Sequence, residues 1–271
     1  MNNGISRGFR GGGHHSDLYG EIISLQNLVS AWQEFKTGKI KKTDVSSFAV
    51  NLEEHLFAIH QILKTESYQH GKYTPFFVHD PKLRSIHKAK VIDRMLHHAI
   101  VRVIDPIFDK SFIFDSYSSR RNKGTHEAGK RFRKFAWKLS ENNTKTVWIL
   151  KCDIKKFFDS VNHDILIGII KRKLNDEKVI ELLSTIVYSF TTKEGRGIPL
   201  GNLTSQIFSN VYLDVLDQFV KRKLQVKYYI RYADDFIFLS RDKAYLESLI
   251  PDLGYDQKSI HDVHHLLVFE R

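Results

Sequence analysis

The chain has 271 residues, of which 42% are hydrophobic and 12% aromatic, so it can bury one large core or two modest ones. Lys and Arg outnumber Asp and Glu by 42 to 31, and the formal charge of +11 favours a polyanionic partner. Cys152 is the only cysteine, which excludes an intrachain disulfide and a multi-cysteine zinc site. No apolar run reaches the roughly 20 residues that span a bilayer, and no signal-peptide core is present. We therefore expect a cytoplasmic protein without a membrane partner.

The first half of the chain is predicted to be mainly helical after a polar lead. Residues 1–17 lack the apolar side chains that would offset the entropy of ordering, so we expect a flexible segment. Hydrophobic spacing predicts helical structure from Leu18 to Leu63, with a break at 37–39 and a second helix over 44–64. Short strands and turns follow up to Ile86, and a helix is expected from Ala89 to Phe108.

The second half alternates strands with helices. A strand is predicted over 146–153, and helices are predicted to start near Asp164 and to cover 177–190 and 203–224. A hairpin over 227–239 carries two acidic residues at its tip. The pattern has no repeat at a fixed period, so the predicted fold class is α+β.

Two acidic clusters lie far apart in the sequence. Asp153 ends an apolar strand pattern, and Asp234 and Asp235 belong to the Tyr-Ala-Asp-Asp run at the hairpin tip. An adjacent acidic pair at a turn is more often simply solvated. Three carboxylates at the edges of apolar strands, however, are costly unless a cation neutralises them. Together they predict a site for two divalent metals, the arrangement used in phosphoryl transfer.

Three ordered motifs carry a resemblance to a known family. They are Asp153 with Phe158 five residues later, the Gly-Ile-Pro-Leu-Gly run that starts at Gly197, and the Tyr-Ala-Asp-Asp run. Together they resemble the reverse transcriptases of bacterial retroelements, of the diversity-generating and group II intron types. The resemblance implies the fingers and palm of a right-hand polymerase, with an antiparallel palm sheet backed by helices. It implies an RNA-directed DNA polymerase, a nucleotidyltransferase that adds dNTPs to a primer.

The same resemblance divides the chain. Residues 18–145 are expected to form the N-terminal helices, the fingers and the start of the palm, and 146–260 the rest of the palm. Only a weak form of the family's lysine motif is found at 253–258, so 261–271 is expected to be a truncated tail and no thumb is expected. An alternative is therefore a truncated, catalytically inert remnant that binds nucleic acid or a partner protein. An RNA-directed RNA polymerase is a third possibility, disfavoured by Phe158.

The resemblance also assigns roles to individual residues. Asp153, Asp234 and Asp235 are expected to be catalytic and to bind two Mg²⁺ ions with the carbonyl of Ile154, with Mn²⁺ as a substitute. The ring of Phe158 is expected to exclude the 2′-hydroxyl of a ribonucleotide. Other expected nucleotide contacts are Lys82, Arg84, Leu200, Gly201 and Gln206, and expected nucleic-acid contacts are Arg94, Arg120, Arg121 and Lys123.

Two positions depart from the commonest family pattern. Group II intron and retroviral enzymes usually have Gln at the position of Leu200, and Ser-Pro at Ser205-Gln206. The form found here resembles diversity-generating retroelements. Leu cannot make the hydrogen bond that Gln offers near the nascent base pair, so we expect lower fidelity. The expected partners are an RNA template, a DNA or RNA primer and dNTPs, with a basic accessory protein if the element is diversity-generating.

Overall fold

The computed structural model describes residues 17–80 and 82–253 and the backbone of 266–269. This part of the chain contains helices around a large apolar core, a two-stranded hairpin and a four-stranded sheet. None of its helices is both long enough and apolar enough to cross a membrane. The helices are α1 (Leu18–Ile23), α2 (Leu25–Lys36), α3 (Thr43–Val50), α4 (Leu52–Lys64), α5 (Val91–Asp109), α6 (Thr125–Leu139), α7 (Phe157–Ser160), α8 (His163–Lys171), α9 (Glu177–Tyr188), α10 (Leu203–Arg222) and α11 (Lys243–Asp252). The strands are β1 (Thr74–Asp80), β2 (Lys82–Lys88), β3 (Val147–Asp153), β4 (Tyr229–Tyr232), β5 (Asp235–Ser240) and β6 (Leu266–Phe269).

Both predicted N-terminal helices are interrupted. Ser24 leaves the helical conformation, and its side chain accepts a hydrogen bond from the Asn27 amide at 3.2 Å, so α2 starts with its own cap. Asn51 likewise separates α3 from α4. The apolar residues on both sides of each break pack into the same core, so their spacing continues across it. Hydrophobic periodicity therefore predicted continuous helices.

Helix α5 lies at the centre of the helical core. It packs against α1, α2 and α10. The side-chain amide of Asn27 donates to the carbonyls of Ile22 and Ala99, both at 3.0 Å, and so joins α1 and α2 to α5. The fully buried apolar residues of α5 are Met95, Leu96, Ala99, Ile100 and Ile104.

The β1–β2 hairpin is attached to the turn that precedes α10. The two strands pair antiparallel from Thr74↔Lys88 to Asp80↔Lys82. The His87 amide donates to the Leu200 carbonyl at 3.2 Å, and the Asn202 side chain donates to the His87 carbonyl at 2.9 Å. These bonds hold the hairpin over the start of α10.

The four-stranded sheet has the order β4-β5-β3-β6, with all pairs antiparallel. Leu150 and Cys152 pack with residues of α10 and α11 on one face, and Val147 and Ile149 pack with α6 on the other. The predicted α+β class, with an antiparallel sheet backed by helices, is confirmed. Helix α6 was absent from the predicted elements.

Several predictions fall partly or wholly outside the described residues. They are the flexible lead 1–17, of which only Asp17 is described, the lysine motif at 253–258 and the tail 261–271. The predicted domain boundaries after residues 145 and 260 stay predictions.

Candidate active site

The three predicted catalytic carboxylates lie at one end of the sheet. Asp153 is the last residue of β3, and its partner across the ladder is Asp235, the first residue of β5. Asp234 lies in the tight turn between β4 and β5, next to Ala233, whose φ of 54° is left-handed. Antiparallel pairing therefore gathers residues that are about eighty positions apart in the sequence.

Asp234 lies in an environment that disfavours its charged form. Partial burial raises the pKa of Asp234, and the negative charges of Asp153 and Asp235 raise it further, while Arg84 acts in the opposite direction. The side chain of Asp235 points to a cation of the protein itself, since Lys151 Nζ lies 3.5 Å from its Oδ1. At Asp234, burial and the two neighbouring carboxylates therefore outweigh the effect of Arg84.

Within the described residues, no group of three or more His, Cys, Asp or Glu side chains is arranged so that it could hold a metal ion. The donor set at the end of the sheet is nevertheless the oxygen chemistry that hard divalent cations prefer. The Ile154 carbonyl accepts a hydrogen bond from the Phe157 amide at 3.2 Å, which leaves it one lone pair.

A cleft of about 380 Å³ adjoins Asp234 and brings most of the predicted nucleotide contacts together. Its lining includes side chains from β2, α7, the 200–202 turn and the start of α10. Lys82 begins β2, but its side chain lies outside the described residues. The predicted residues that line the cleft are Arg84, Phe158, Leu200, Gly201, Gln206 and Asp234.

Phe157 and Phe158 have different surroundings. Phe157 is 2% exposed and packs edge-on to Tyr212, with 6.2 Å between the ring centroids. Phe158 is only partly buried and lines the cleft. Lys156, with a left-handed φ of 50°, precedes this pair as the N-cap of α7. The turn therefore assigns one aromatic ring to the core and the other to the cleft.

Gly201 permits close contact between the turn and the hairpin. Its φ of 101° is a conformation that favours glycine. A Cβ atom at this position would lie 2.7 Å from Ile86 Cγ2, too close for a carbon contact. Any larger residue would therefore move β2 and the cleft wall formed by Arg84 and Ile86.

The predicted nucleic-acid contacts are not equivalent. Arg120 is used inside the fold: its guanidinium contacts Asp109 and donates to the carbonyls of Ile113 and Ser116. Lys123 donates to the Phe114 carbonyl at 2.8 Å and lies 3.5 Å above the Phe114 ring. These contacts are structural.

Arg121 and Arg94 face cavities next to the cleft, and Arg120 lines the same cavity as Arg121. Arg121 is exposed and lines a cavity of about 370 Å³ that shares Gln206 with the cleft.

Arg94 lines a larger cavity of about 710 Å³ and is ion-paired with Asp44. Three buried polar atoms around this larger cavity have no hydrogen-bond partner: Arg94 Nε, His97 Nδ1 and Asn202 Oδ1. Lys39, Lys42 and Lys88 also line it, so the cavity is both basic and polar.

Arg231 was not predicted to have a role, yet it holds the turn that carries Asp234 in place. Its guanidinium is fully buried and bonds Asp217, at 2.7 Å for the shortest contact. It also donates to the Ala233 carbonyl at 3.0 Å, to Ser116 Oγ at 3.0 Å and to Asn210 Oδ1 at 3.2 Å. A charged residue within the apolar strand run of 229–232 was the available signal, but its partner lies in a different element.

Comparisons with known proteins identify a matching family and several relatives. The family described as reverse transcriptase (RNA-dependent DNA polymerase) matches residues 78–255, more than half of the chain. Protein YkfC of Escherichia coli (strain K12) is 25% identical over 207 residues, which cover 62% of this chain and 54% of YkfC. The group II intron-encoded protein LtrA of Lactococcus lactis subsp. cremoris is 28% identical over 225 residues, 78% of this chain and 34% of LtrA. The chain thus spans about half the length of YkfC and about a third of LtrA.

Solved structures show a similar fold. The structure of telomerase from Candida albicans in complex with a TWJ fragment of telomeric RNA aligns with a TM-score of 0.51 and 13% sequence identity. The alignment covers 76% of this chain and 43% of the telomerase chain. At this identity the similarity concerns the fold alone.

Asp217→Asn should strongly destabilise the protein, because it leaves the buried guanidinium of Arg231 without a counter-charge. Breaking a buried pair from one side costs about 3–5 kcal/mol, which urea unfolding measures. Glu141→Gln, at an exposed ion pair with Arg241 and Lys145, should cost much less, because solvent screens the pair. Equal losses in the two variants would show that Arg231 does not depend on Asp217.

Asp234→Asn should be more stable than the parent at pH 7 without divalent ions. The folded-state pKa of Asp234 is raised, so the folded protein binds this proton more readily than the unfolded chain does, and the ionised form is the destabilised one. The gain should be small, since water screens a half-exposed group. It should vanish as pH falls below the ordinary Asp range. Urea unfolding at a series of pH values measures it, and a gain that grows on acidification would contradict the prediction.

Proposed function

Because this chain belongs to the reverse transcriptase family, we propose that it is an RNA-directed DNA polymerase that extends a primer with dNTPs. The observation that carries the proposal is the convergence of Asp153, Asp234 and Asp235 at the end of the sheet, beside the cleft that contains Phe158. Carboxylates gathered next to a nucleotide-sized cleft suit phosphoryl transfer. The catalytic roles of these residues are part of the proposal.

Reverse transcriptases use divalent metal ions. We propose that two Mg²⁺ ions, or Mn²⁺ in their place, are held mainly by Asp153 and Asp234, with Asp235 and the Ile154 carbonyl as weaker ligands. Bound there, the ions would lower the pKa of the primer 3′-hydroxyl and neutralise the leaving pyrophosphate. The support for this assignment is the placement of the three carboxylates at one end of the sheet. Burial raises the pKa of Asp234, and repulsion by Asp153 and Asp235 raises it further. Binding of cations relieves that repulsion and leaves the carboxylate ionised.

Residues of the cleft would orient the incoming dNTP. The exposed guanidinium of Arg84 suits a triphosphate, because its fork donates two hydrogen bonds to phosphate oxygens. Phe158 would pack beneath the sugar and exclude a 2′-hydroxyl, while Leu200 and Gly201 form the opposite wall. Gln206, exposed at the first turn of α10, can donate to the template or the base. Lys82 remains a proposed triphosphate contact from its sequence position.

The basic cavity next to the cleft suits the RNA template. Its Lys and Arg side chains match a phosphate backbone. Arg94, Arg120 and Arg121 are the predicted contacts that line these cavities. We favour Arg94 and Arg121 as template contacts, because the donors of Arg120 and Lys123 already bond to carbonyls of the fold. The partners we propose are thus an RNA template, a DNA or RNA primer and dNTPs.

The proposed assignment to a retroelement lineage depends on few residues. LtrA is by name an intron-encoded protein, whereas Leu200 and Ser205-Gln206 favour a diversity-generating element, for which a basic accessory protein would be a partner. A catalytically inert nucleic-acid-binding remnant has one observation in its favour, the ion pair between Lys151 and Asp235. Activity measurements separate the two functions.

Asp234→Ala should reduce labelled dNTP incorporation on a primed RNA template more than a hundredfold, with Mg²⁺ present. A hundredfold loss corresponds to about 2.7 kcal/mol of transition-state stabilisation, which is within what a lost metal ligand costs. Affinity for the template should change less than twofold, because it depends on distant Lys and Arg. The exposed Asp252→Ala is the control. If the parent binds the template but incorporates no dNTP, the inert remnant is supported. If Asp234→Ala retains a tenth of the parental activity, the catalytic role of Asp234 is refuted.

Phe158→Ala should incorporate ribonucleotides at least tenfold more readily relative to dNTPs, because the cleft then has room for a 2′-hydroxyl. Single-nucleotide extension with matched dNTP and rNTP gives the ratio. Leu200→Ala enlarges the same cleft elsewhere and should leave the ratio nearly unchanged. If both variants relax selectivity equally, the effect is general loosening of the cleft and Phe158 has no special role.

A further inference from the structure

Helix α6 has a basic face directed away from the core. Lys130, Arg133, Lys134, Trp137 and Lys138 occur at the i, i+3, i+4, i+7, i+8 spacing of one helix side. All five are exposed, and Trp137 has 54% of its surface accessible. The opposite side packs on the sheet through Phe132, Phe135, Ala136 and Leu139.

Most of the charge on this face has no counter-charge. Lys130 pairs with Glu127, and Arg131, at the side of the face, pairs with Asp115. Within the described part of the chain, Arg133, Lys134 and Lys138 have no acidic partner. Clustered cations that the fold does not neutralise repel each other and attract polyanions.

The face is separate from the proposed active site. No residue of α6 lines the cleft or the two cavities next to it. The last turn of α6, with Trp137 and Lys138, leads to Val147 at the start of β3. Asp153 is six residues further along that strand, or about 20 Å at 3.3 Å per residue. A ligand on this turn does not occupy the catalytic cleft.

We propose that the outer face of α6 is a second RNA-binding site, which holds a single-stranded segment outside the catalytic cleft. Arg133, Lys134 and Lys138 would contact phosphates, and Trp137 would stack on an unpaired base. Stacking on an exposed aromatic ring requires a base that is not already in a helix, which favours loops and single strands over duplexes. The site does not depend on the proposed polymerase activity.

The geometry fits this ligand better than a membrane. From Lys130 to Lys138 the face is about 12 Å long at 1.5 Å per residue, enough for several phosphates of one strand. A basic amphipathic helix can also bind anionic lipid by inserting its apolar side. In α6 that side is used by the sheet: Phe135 is 7% exposed and packs edge-on to Tyr228 at 5.1 Å. Phe132, Ala136 and Leu139 are partly buried against the same sheet, and Trp137 is the apolar side chain of the outer face.

The first test compares two charge-matched triple variants of the full chain. Arg133→Gln/Lys134→Gln/Lys138→Gln removes the α6 cations, and Lys171→Gln/Arg172→Gln/Lys173→Gln removes three exposed cations at the end of α8. The probe is a labelled oligouridine of about 20 nucleotides, longer than the site size of a typical single-strand-binding fold. The α6 variant should bind at least tenfold more weakly, with a salt slope lower by about 2 for three lost phosphate contacts. Equal losses in both variants would reduce the effect to net charge and overturn the proposal.

The second test addresses Trp137. Oligouridine should quench the fluorescence of the exposed Trp137, whereas Trp32 is 2% exposed and serves as an internal reference. Trp137→Ala should weaken binding about tenfold, and Trp137→Phe, which keeps an aromatic face, should weaken it less than threefold. Primer extension at saturating template should be unchanged in both, so failure here is distinguishable from failure of the polymerase assignment. The proposal is overturned if the parent binds phosphatidylserine vesicles but not RNA, and if the α6 variant loses the vesicle binding. That result would assign the face to lipid.

Discussion

A buried ion pair between Arg231 and Asp217 is the interaction on which the site depends. Neither side chain reaches solvent, so each charge is tolerable only because the other is beside it. The guanidinium also bonds Ser116, Asn210 and the Ala233 carbonyl. It therefore joins β4, α10 and the segment before α6 to the turn that carries Asp234. Because a buried charge has few acceptable geometries, these segments can adopt one mutual arrangement with little freedom.

Helix α10 transmits this arrangement to the nucleotide cleft. Its first turn follows Gly201 and contains Gln206, while Asp217 lies in its second half. A helix of 20 residues is a rigid element. Helix α10 therefore positions both the cleft wall and the turn that carries Asp234. The bonds between His87 and the 200–202 turn then add the β1–β2 hairpin. Side chains from distant parts of the chain thus face one cleft, with no need for a loop to close over it.

Acidic and basic side chains occupy separate regions around the turn that carries Asp234. Burial raises the pKa of Asp234, and repulsion by the neighbouring carboxylates raises it further. Basic side chains line the adjoining cavity, and a second basic surface covers the outside of α6. The excess of 42 Lys and Arg over 31 Asp and Glu is therefore not spread evenly over the surface. The cavities therefore favour anionic groups, and the carboxylate cluster beside them favours cations.

The sequence by itself determined the order of the motifs, the strand that ends at Asp153, the hairpin that presents Asp234, and the α+β class. These features are local: strand periodicity, turn residues and the chemistry of carboxylates can be read within a few positions. The breaks at Ser24 and Asn51 could not be predicted, because the apolar spacing continues across them. Tertiary structure alone decided which cations are available. Arg120 and Lys123 look like phosphate contacts in the sequence, but carbonyls and a ring of neighbouring segments use their donors. A charged side chain bonds whatever the fold brings within about 3 Å, and that distance is set by contacts between distant segments, as in the pairing of Arg231 with Asp217.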